Sequence, residues 1–227
     1  MKEILKNTMY GKKYFFQGDY IASKCDETKW YHGINCHTTD MIGKINSLIP
    51  KNSVIVDVGA FVGTFSIPLL SEGHTSFMFE SNPEFCKLLV KNTEEYGKNA
   101  TVINNAVGNK NTKVGVFVQK GNFGGTQICL GDDIAMTTLD SYFEKFDKKI
   151  NFMKIDVETY EYYVLSGAQE IIKKHKPIIF WENLPQRILD NRLSEKLGHK
   201  QDCFEFLKSL GYNRHETISN NVLSSIS

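Results

Sequence analysis

The stretch VIVDVGAFVGTFS, residues 54–66, decides the fold of this chain. Its first five residues are mostly apolar and predict a buried strand, and the residues that follow Gly63 predict a helix. Glycines between a strand and a helix let the backbone turn tightly and come close to a ligand. Asp57, Gly59 and Gly63 are therefore the first candidate binding residues.

Apolar runs and helical segments alternate along the rest of the chain. The further predicted strands are TSFMFE (75–80), ATVINNAV (100–107), KVGVFVQ (113–119), INFMKID (150–156) and PIIFWEN (177–183). Such alternation predicts an α/β fold with a mostly parallel, Rossmann-like sheet covered by helices on both faces. The tail, residues 212–226, predicts a hairpin that adds antiparallel pairing at one edge. We expect residues 1–50 to be an irregular extension that packs on a core domain of residues 51–227.

Composition excludes several classes of protein. The 227 residues are 41% hydrophobic and 23% charged with a net charge of +1, which gives no basic surface for nucleic acid. No run approaches the roughly 18 apolar residues of a membrane helix, and the N-terminus is a poor signal peptide. Five scattered cysteines without a C-x-x-C pair indicate a reducing compartment, so we expect a cytoplasmic protein without membrane partners.

The acid that ends the second strand indicates a nucleoside site. Glu80 lies 23 positions after Asp57, where a carboxylate can accept both hydroxyls of a ribose. The G-x-G-x-x-G fingerprint of dinucleotide sites would need glycine at Phe61 and Thr64, so that pattern fails twice. A nicotinamide-dependent oxidoreductase is therefore the weaker alternative.

Four segments, in order, resemble the FkbM-type methyltransferases. They are VIVDVGAFVGTFS, FMFESNPEFCKLLVKN, VINNAVGN and TTLDSYFEKFDKKINFMKIDVETYEYYVLSGAQEII, within about residues 53–183. The most specific part is K-I-D-V-E followed by V-L-x-G-A. The resemblance implies a seven-stranded methyltransferase fold, S-adenosyl-L-methionine as methyl donor, and O-methylation, often of a sugar or glycan hydroxyl.

The resemblance also assigns cofactor roles. Asp57, Gly59 and Gly63 should cradle the methionine and adenosyl parts, Glu80 should hold the ribose, and two residues should border the adenine: Asn105 and Ala106. The chain departs from the family at two positions. Phe61 replaces a common asparagine, and Thr159 replaces a common glycine, so a cofactor contact and a turn are in question.

Charged residues lie at the ends of two later predicted strands, residues 150–156 and 177–183. Asp156, Glu158 and Lys154 alternate, so we expect them to face one side and rank Asp156 and then Glu158 as catalytic candidates. A sugar hydroxyl needs a base, or a metal that stabilises its alkoxide. Asp156 could be the base, or it could bind Mg²⁺ (or Mn²⁺) together with Glu182 and Asn183.

Simpler roles remain open for the same residues. Lys154 could merely neutralise the carboxylates, Glu182 could pair with a lysine, and Asn183 could cap a turn. A non-catalytic scaffold that keeps the fold is a further alternative to the enzyme. The sequence leaves the acceptor and the oligomeric state open.

Overall fold

A seven-stranded sheet forms the centre of the computed structural model, which describes residues 1–31, 41–119, 121–183 and 202–227. The strands are β1 (Glu3–Thr8), β2 (Gly11–Phe16), β3 (Val54–Val58), β4 (Thr75–Phe79), β5 (Ala100–Ile103), β6 (Ala106–Val107), β7 (Thr112–Phe117), β8 (Gln127–Thr137), β9 (Ile150–Ile155), β10 (Ile178–Glu182), β11 (Arg214–Ile218) and β12 (Asn221–Ser225). The helices are α1 (Tyr20–Ser23), α2 (Met41–Leu48), α3 (Ser66–Ser71), α4 (Pro83–Thr93), α5 (Leu139–Tyr142), α6 (Glu161–Ser166), α7 (Gln169–His175) and α8 (Cys203–Ser209).

The order of the central strands is β5-β4-β3-β9-β10-β12-β11. The five strands from β5 to β10 pair in parallel, and β12 pairs antiparallel with both β10 and β11. The predicted seven-stranded, mostly parallel sheet with an antiparallel C-terminal hairpin is confirmed. It is an α/β fold of the class that the resemblance implies.

Both faces of the sheet are buried, which explains the unbroken apolar sequence of its middle strands. Val56 of β3 packs in the core on one face with Val164 of α6 and Ile172 of α7. Its neighbour Ile55 points to the opposite face and packs with α2 and α3. A strand with one face in water would alternate apolar and polar residues instead.

The segment after β9 forms two helices, α6 and α7, instead of one continuous helix. The break lies at Gly167, where an added Cβ atom would lie only 2.0 Å from the carbonyl oxygen of Gly108. Glycine is therefore required for the approach of this turn to the loop after β6. This contact gives a physical reason for the glycine of the V-L-x-G-A segment.

A second, three-stranded sheet has the order β6-β8-β7. The predicted strand over residues 113–119 belongs to this side sheet as β7, and its partner β8 was not predicted. The prediction of a single strand over residues 100–107 is also wrong, since it divides into β5 of the central sheet and β6 of the side sheet.

The N-terminal residues are more regular than predicted, because β1 and β2 form an antiparallel hairpin. The side chain of Asn92 in α4 accepts a hydrogen bond from the backbone N–H of Tyr14 and donates one to its carbonyl oxygen. Trp30 donates its indole N–H to the carbonyl oxygen of Thr64 at 2.7 Å. These bonds attach residues 1–31 to the core beside the loop that follows β3.

In the part of the chain that the structure describes, every helix is too short or too polar to cross a lipid bilayer.

Candidate cofactor and catalytic site

The carboxyl ends of the parallel strands meet at one edge of the central sheet. Val58 at the end of β3 pairs with Phe79 of β4 and with Ile155 of β9, and Ile155 pairs with Trp181 of β10. The next residues in the chain are the predicted site residues Gly59, Glu80, Asp156 and Glu182. The sheet register alone therefore collects them on the edge where α/β proteins bind ligands.

The loop after β3 needs its glycines. Gly59 has φ +80°, and an added Cβ would lie 1.9 Å from the carbonyl oxygen of Asp156. Gly63 has φ +94° and meets the side chains of Leu89 and Ile67, so its role is packing between α3 and α4. Phe61 also has a positive φ, 51°. Asparagine adopts this conformation more readily than other non-glycine residues, which explains the usual family residue at this position.

Glu80 is buried and fixes this loop. One carboxylate oxygen accepts the N–H of Phe61 at 2.8 Å, and the other accepts the N–H of Asn82 at 2.7 Å. Burial raises the pKa of Glu80 to about 7, although these two N–H groups and Lys154 act in the opposite direction. Each carboxylate oxygen has a further lone pair, so Glu80 can also accept the two hydroxyls of a ribose.

A cleft of about 520 Å³, partly open to solvent, lies above this edge. Its lining includes five predicted site residues: Gly59, Glu80, Asn105, Ala106 and Asp156. The described lining does not include Asp57, Gly63 or Lys154. Some of the predicted residues can therefore touch a ligand in the cleft, and the others only support the loop.

Lys154 is buried between two carboxylates. Its Nζ lies 3.3 Å from Asp57 and 3.5 Å from Asp156, and it donates to the carbonyl oxygen of Gly59 at 2.8 Å. Asp57 also accepts the hydroxyl of Ser66 at 2.7 Å. Burial lowers the pKa of Lys154, but the two carboxylates outweigh burial and the net pKa is raised. Lys154 is therefore a cation that joins the loop after β3 to Asp156.

Three carboxylates crowd the end of β9 and β10. Oxygen atoms of Asp156, Glu158 and Glu182 lie within 4.8 Å of one another. Burial, followed by the charges of Asp156 and Glu161, raises the pKa of Glu182 to about 9. Asn183 is fixed by its backbone N–H, which donates to the carbonyl oxygen of Asn220 at 2.7 Å. Such an oxygen-rich set suits a proton or a hard divalent cation.

The turn after Asp156 has an unusual backbone. Glu158 has φ 56° and Thr159 has φ 88°, a region that a β-branched residue rarely adopts. The chain keeps the glycine-like conformation although threonine has replaced the common glycine. Glu161, which the sequence did not indicate, stabilises this turn by accepting the N–H groups of Val157 and Thr159. Its place in the first turn of a helix after a strand end was the available signal.

Aromatic residues were the other omission from the predicted site. Phe61, Phe85, Phe123 and Tyr160 all line the cleft. Phe61 and Phe85 make an edge-to-face contact with ring centroids 4.9 Å apart. Burial raises the pKa of Tyr160 to about 12, so its hydroxyl remains protonated. Single aromatic residues far apart in sequence give no pattern that reveals such a wall.

Solved structures resemble this chain in fold. A methyltransferase FkbM from Methylobacillus flagellatus KT is 20% identical to this chain, with a TM-score of 0.52. The match covers 79% of this chain but only 45% of the length of that protein. A putative rRNA-methylase from Clostridium thermocellum is 12% identical with a TM-score of 0.52, covering 86% of this chain and 98% of that one. At these identities the likeness shows the fold alone. No curated protein matches the sequence.

The sequence gives the family. The Methyltransferase FkbM domain matches residues 57–213, which is more than half of the chain. The matched range begins at Asp57 and includes Gly59, Glu80, Asp156 and Glu182, the residues that the sheet edge brings together. The chain therefore belongs to the FkbM methyltransferase family.

Proposed function

We propose that this chain is an S-adenosyl-L-methionine-dependent O-methyltransferase that acts on a sugar or glycan hydroxyl. The observation that carries this proposal is one cleft that contains both a ribose-type carboxylate, Glu80 after β4, and a second acid, Asp156 after β9, with β3 between the two strands. Methyl transfer requires the donor and the acceptor hydroxyl to be aligned in one cleft. We place the reaction in the cytoplasm, as the composition indicates.

The residues present fit the cofactor. In this proposal Glu80 binds the ribose, Asn105 and Ala106 border the adenine, and the backbone of Gly59 faces the methionine part; all four residues line the cleft. Asp57 acts through the loop, because Ser66 and Lys154 hold it below the cleft. When bound, the cofactor supplies an electrophilic methyl group on its sulfonium. The chain itself must align the acceptor hydroxyl, and alignment contributes up to roughly 7–11 kcal/mol in favourable cases.

Asp156 is our candidate for the group that accepts the proton of the acceptor hydroxyl. It lines the cleft, and its side chain is 19% exposed. Lys154, with a side-chain exposure of 5%, forms an ion pair with Asp156 at 3.5 Å. We therefore assign Lys154 a positioning role, and Glu158 a secondary role on the acceptor side. A base near the acceptor supplies roughly 10²–10⁴-fold of a typical rate enhancement.

A divalent cation is the alternative way to activate the hydroxyl. Asp156 and Glu182, with Asn183 beside them, would be the ligands, and the proximity of Glu158 adds a fourth oxygen donor. Carboxylate and amide oxygens are the ligands that Mg²⁺ and Mn²⁺ prefer. When bound, such an ion would lower the pKa of an acceptor hydroxyl. Asp156 would then be a ligand rather than the base.

Calorimetric titration with S-adenosylhomocysteine, with and without Mg²⁺, tests the proposal. We expect micromolar binding by the wild type and a loss of about 10–100-fold in Glu80→Ala, because hydrogen bonds to a charged group are worth about 1.5–3 kcal/mol. Binding that fails in the wild type under both conditions would favour the scaffold instead. Glu84→Ala, at an exposed acid of α4, is the matched control and should bind like the wild type.

A separate titration with Mg²⁺ alone decides between base and metal ligand. Heat of binding in the wild type that disappears in Glu182→Gln would support the metal. An acceptor screen that gives methyl transfer at full rate in the presence of a chelator would assign Asp156 as the base.

A further inference from the structure

We propose that Asp19, which lies before the family-matched residues, is a positioning residue for the cofactor. It holds Phe123 as a wall of the cleft that Glu80 also lines. The wall belongs to residues 121–126, here called the glycine-rich segment. This inference rests on the proposed function, because it concerns the same cofactor cleft.

The position of Phe123 points to the ribose end of the cleft. Phe123, Gly124 and Thr126 all line it. The ring of Phe123 lies 6.3 Å from that of Phe85, which belongs to α4, the helix that follows Glu80. A flat aromatic side chain at this place can cover a nucleoside, and such contacts between an aromatic ring and a base are worth about 1–3 kcal/mol elsewhere.

Asp19 joins this wall to the N-terminal residues. It is 3% exposed, one oxygen accepts the N–H of Phe123 at 3.2 Å, and the other accepts the N–H of Ala22 at the start of α1 at 3.3 Å. Burial raises the pKa of Asp19, while its backbone donors act in the opposite direction. A buried carboxylate needs these donors, so the glycine-rich segment and α1 are fixed by one group.

Two further contacts keep the segment in place. An added Cβ at Gly124 would lie 2.8 Å from Cδ1 of Ile21, so glycine allows α1 to pack directly against the segment. The ring of Phe16 lies 5.7 Å from that of Phe123. The N-terminal residues thus support one side of the cleft, although the family match begins only at residue 57.

The glycine-rich segment is also connected to the turn after Asp156, where the proposed acceptor would bind. Gln127, the residue that follows it, donates its side-chain amide to the carbonyl oxygen of Glu158 at 3.4 Å. The contacts therefore run from Asp19 through Phe123 and Gln127 to the turn after Asp156. A change at Asp19 should alter cofactor affinity through Phe123, which a purely structural cap would not do.

A double-mutant cycle on cofactor affinity tests this. The dissociation constant of S-adenosylhomocysteine is measured for wild type, Asp19→Ala, Phe123→Ala and the double variant. We expect each single change to weaken binding about tenfold, which corresponds to about 1.4 kcal/mol. The double variant should be no weaker than Phe123→Ala, because Asp19 acts through that side chain. Asp19→Asn, which keeps one acceptor oxygen, should recover part of the affinity.

Asp26→Ala is the matched control. Asp26 also caps a turn in the N-terminal residues, accepting the N–H groups of Thr28 and Lys29, and its loss should leave the affinity unchanged. Wild-type affinity in a folded Asp19→Ala, or losses that multiply in the double variant, would overturn the positioning role. If the wild type itself does not bind, the proposed function fails, and this inference fails with it.

A measurement on the wild type covers the case in which Asp19→Ala does not fold. Hydrogen exchange of the peptide that contains residues 121–126 should slow when S-adenosylhomocysteine is added. Exchange that is identical with and without the ligand, under conditions where calorimetry shows binding, would overturn the proposal.

Discussion

The two ends of the functional edge differ in how their charges are satisfied. At the end of β3 and β4, both oxygens of Glu80 accept backbone N–H groups from the chain itself. At the end of β9 and β10, oxygen atoms of Asp156, Glu158 and Glu182 lie within 4.8 Å of one another. Lys154 approaches only the first of these three in the described ion pairs.

This difference indicates which kind of ligand group each end would bind. The Glu80 end is already organised by backbone donors, and a neutral diol can add its hydroxyls without further change. The Asp156 end concentrates negative charge at low exposure, so it favours a partner that brings a proton or positive charge. The first end is therefore suited to recognition, and the second to chemistry.

Removal of Lys154 should have the largest effect of these changes, and the effect is on the stability of the fold. Lys154→Met leaves Asp57 and Asp156 without their buried cation, and loss of one partner from a buried ion pair costs about 3–5 kcal/mol. Urea denaturation followed by circular dichroism measures the change. The exposed pair of Lys87 with Glu84 provides the control, since Lys87→Met should barely change the midpoint.

The double variant Lys154→Met with Asp156→Asn sharpens the same comparison. If charge imbalance is the cause, removal of the unpaired carboxylate should restore part of the stability lost in Lys154→Met. A double variant as unstable as the sum of its two single changes would show that lost packing, and not charge, explains the effect.

The pH dependence of cofactor affinity should give the next largest effect. In the proposed function the ionised form of Glu80 accepts ribose hydroxyls. The pKa of Glu80 is raised to about 7 by burial in an environment that includes Lys154, Asp57 and Cys86. Affinity for S-adenosylhomocysteine should therefore be high above this pKa and fall as the pH drops below it, by up to about tenfold per pH unit. Calorimetry across this range should give a flat profile for Glu80→Gln. A sloping profile in that variant would assign the titration to another group.

Relief of backbone strain in the turn after Asp156 should give the smallest effect. Thr159 has φ 88°, so Thr159→Gly should raise the free energy of unfolding by about 1 kcal/mol, the lower end of the usual cost of such strain. The exposed Thr217 in β11 is the control, because glycine within a strand destabilises it. If both variants are destabilised alike, the turn after Asp156 is not strained.

The central sheet could be predicted because its signals are local. Each buried strand is an apolar run that ends at a turn, and the alternation with helices determines the parallel topology. The side sheet could not be predicted in this way. β8 runs from Gln127 to Thr137 through residues that are mostly exposed or half-buried. Its pairing with β7 depends on tertiary contacts and leaves no apolar pattern in the sequence.

The site was predictable wherever a residue ends a strand. Glu80, Asp156 and Glu182 follow this rule and lie at the same edge. Asp19 and Phe123 come from a short helix cap and a glycine-rich loop, and their contact depends on how the N-terminal residues fold back. Residues that meet only through such packing form no motif with a fixed spacing, so the sequence alone does not reveal them.

The close approach of Gly59 to the carbonyl oxygen of Asp156 has a consequence for inhibitor design. Because a Cβ would lie 1.9 Å from that oxygen, the two loops touch through their backbones, without a side chain between them. In the proposed site, a bisubstrate compound that joins an adenosyl group to an acceptor mimic would have to cross the junction of these two loops.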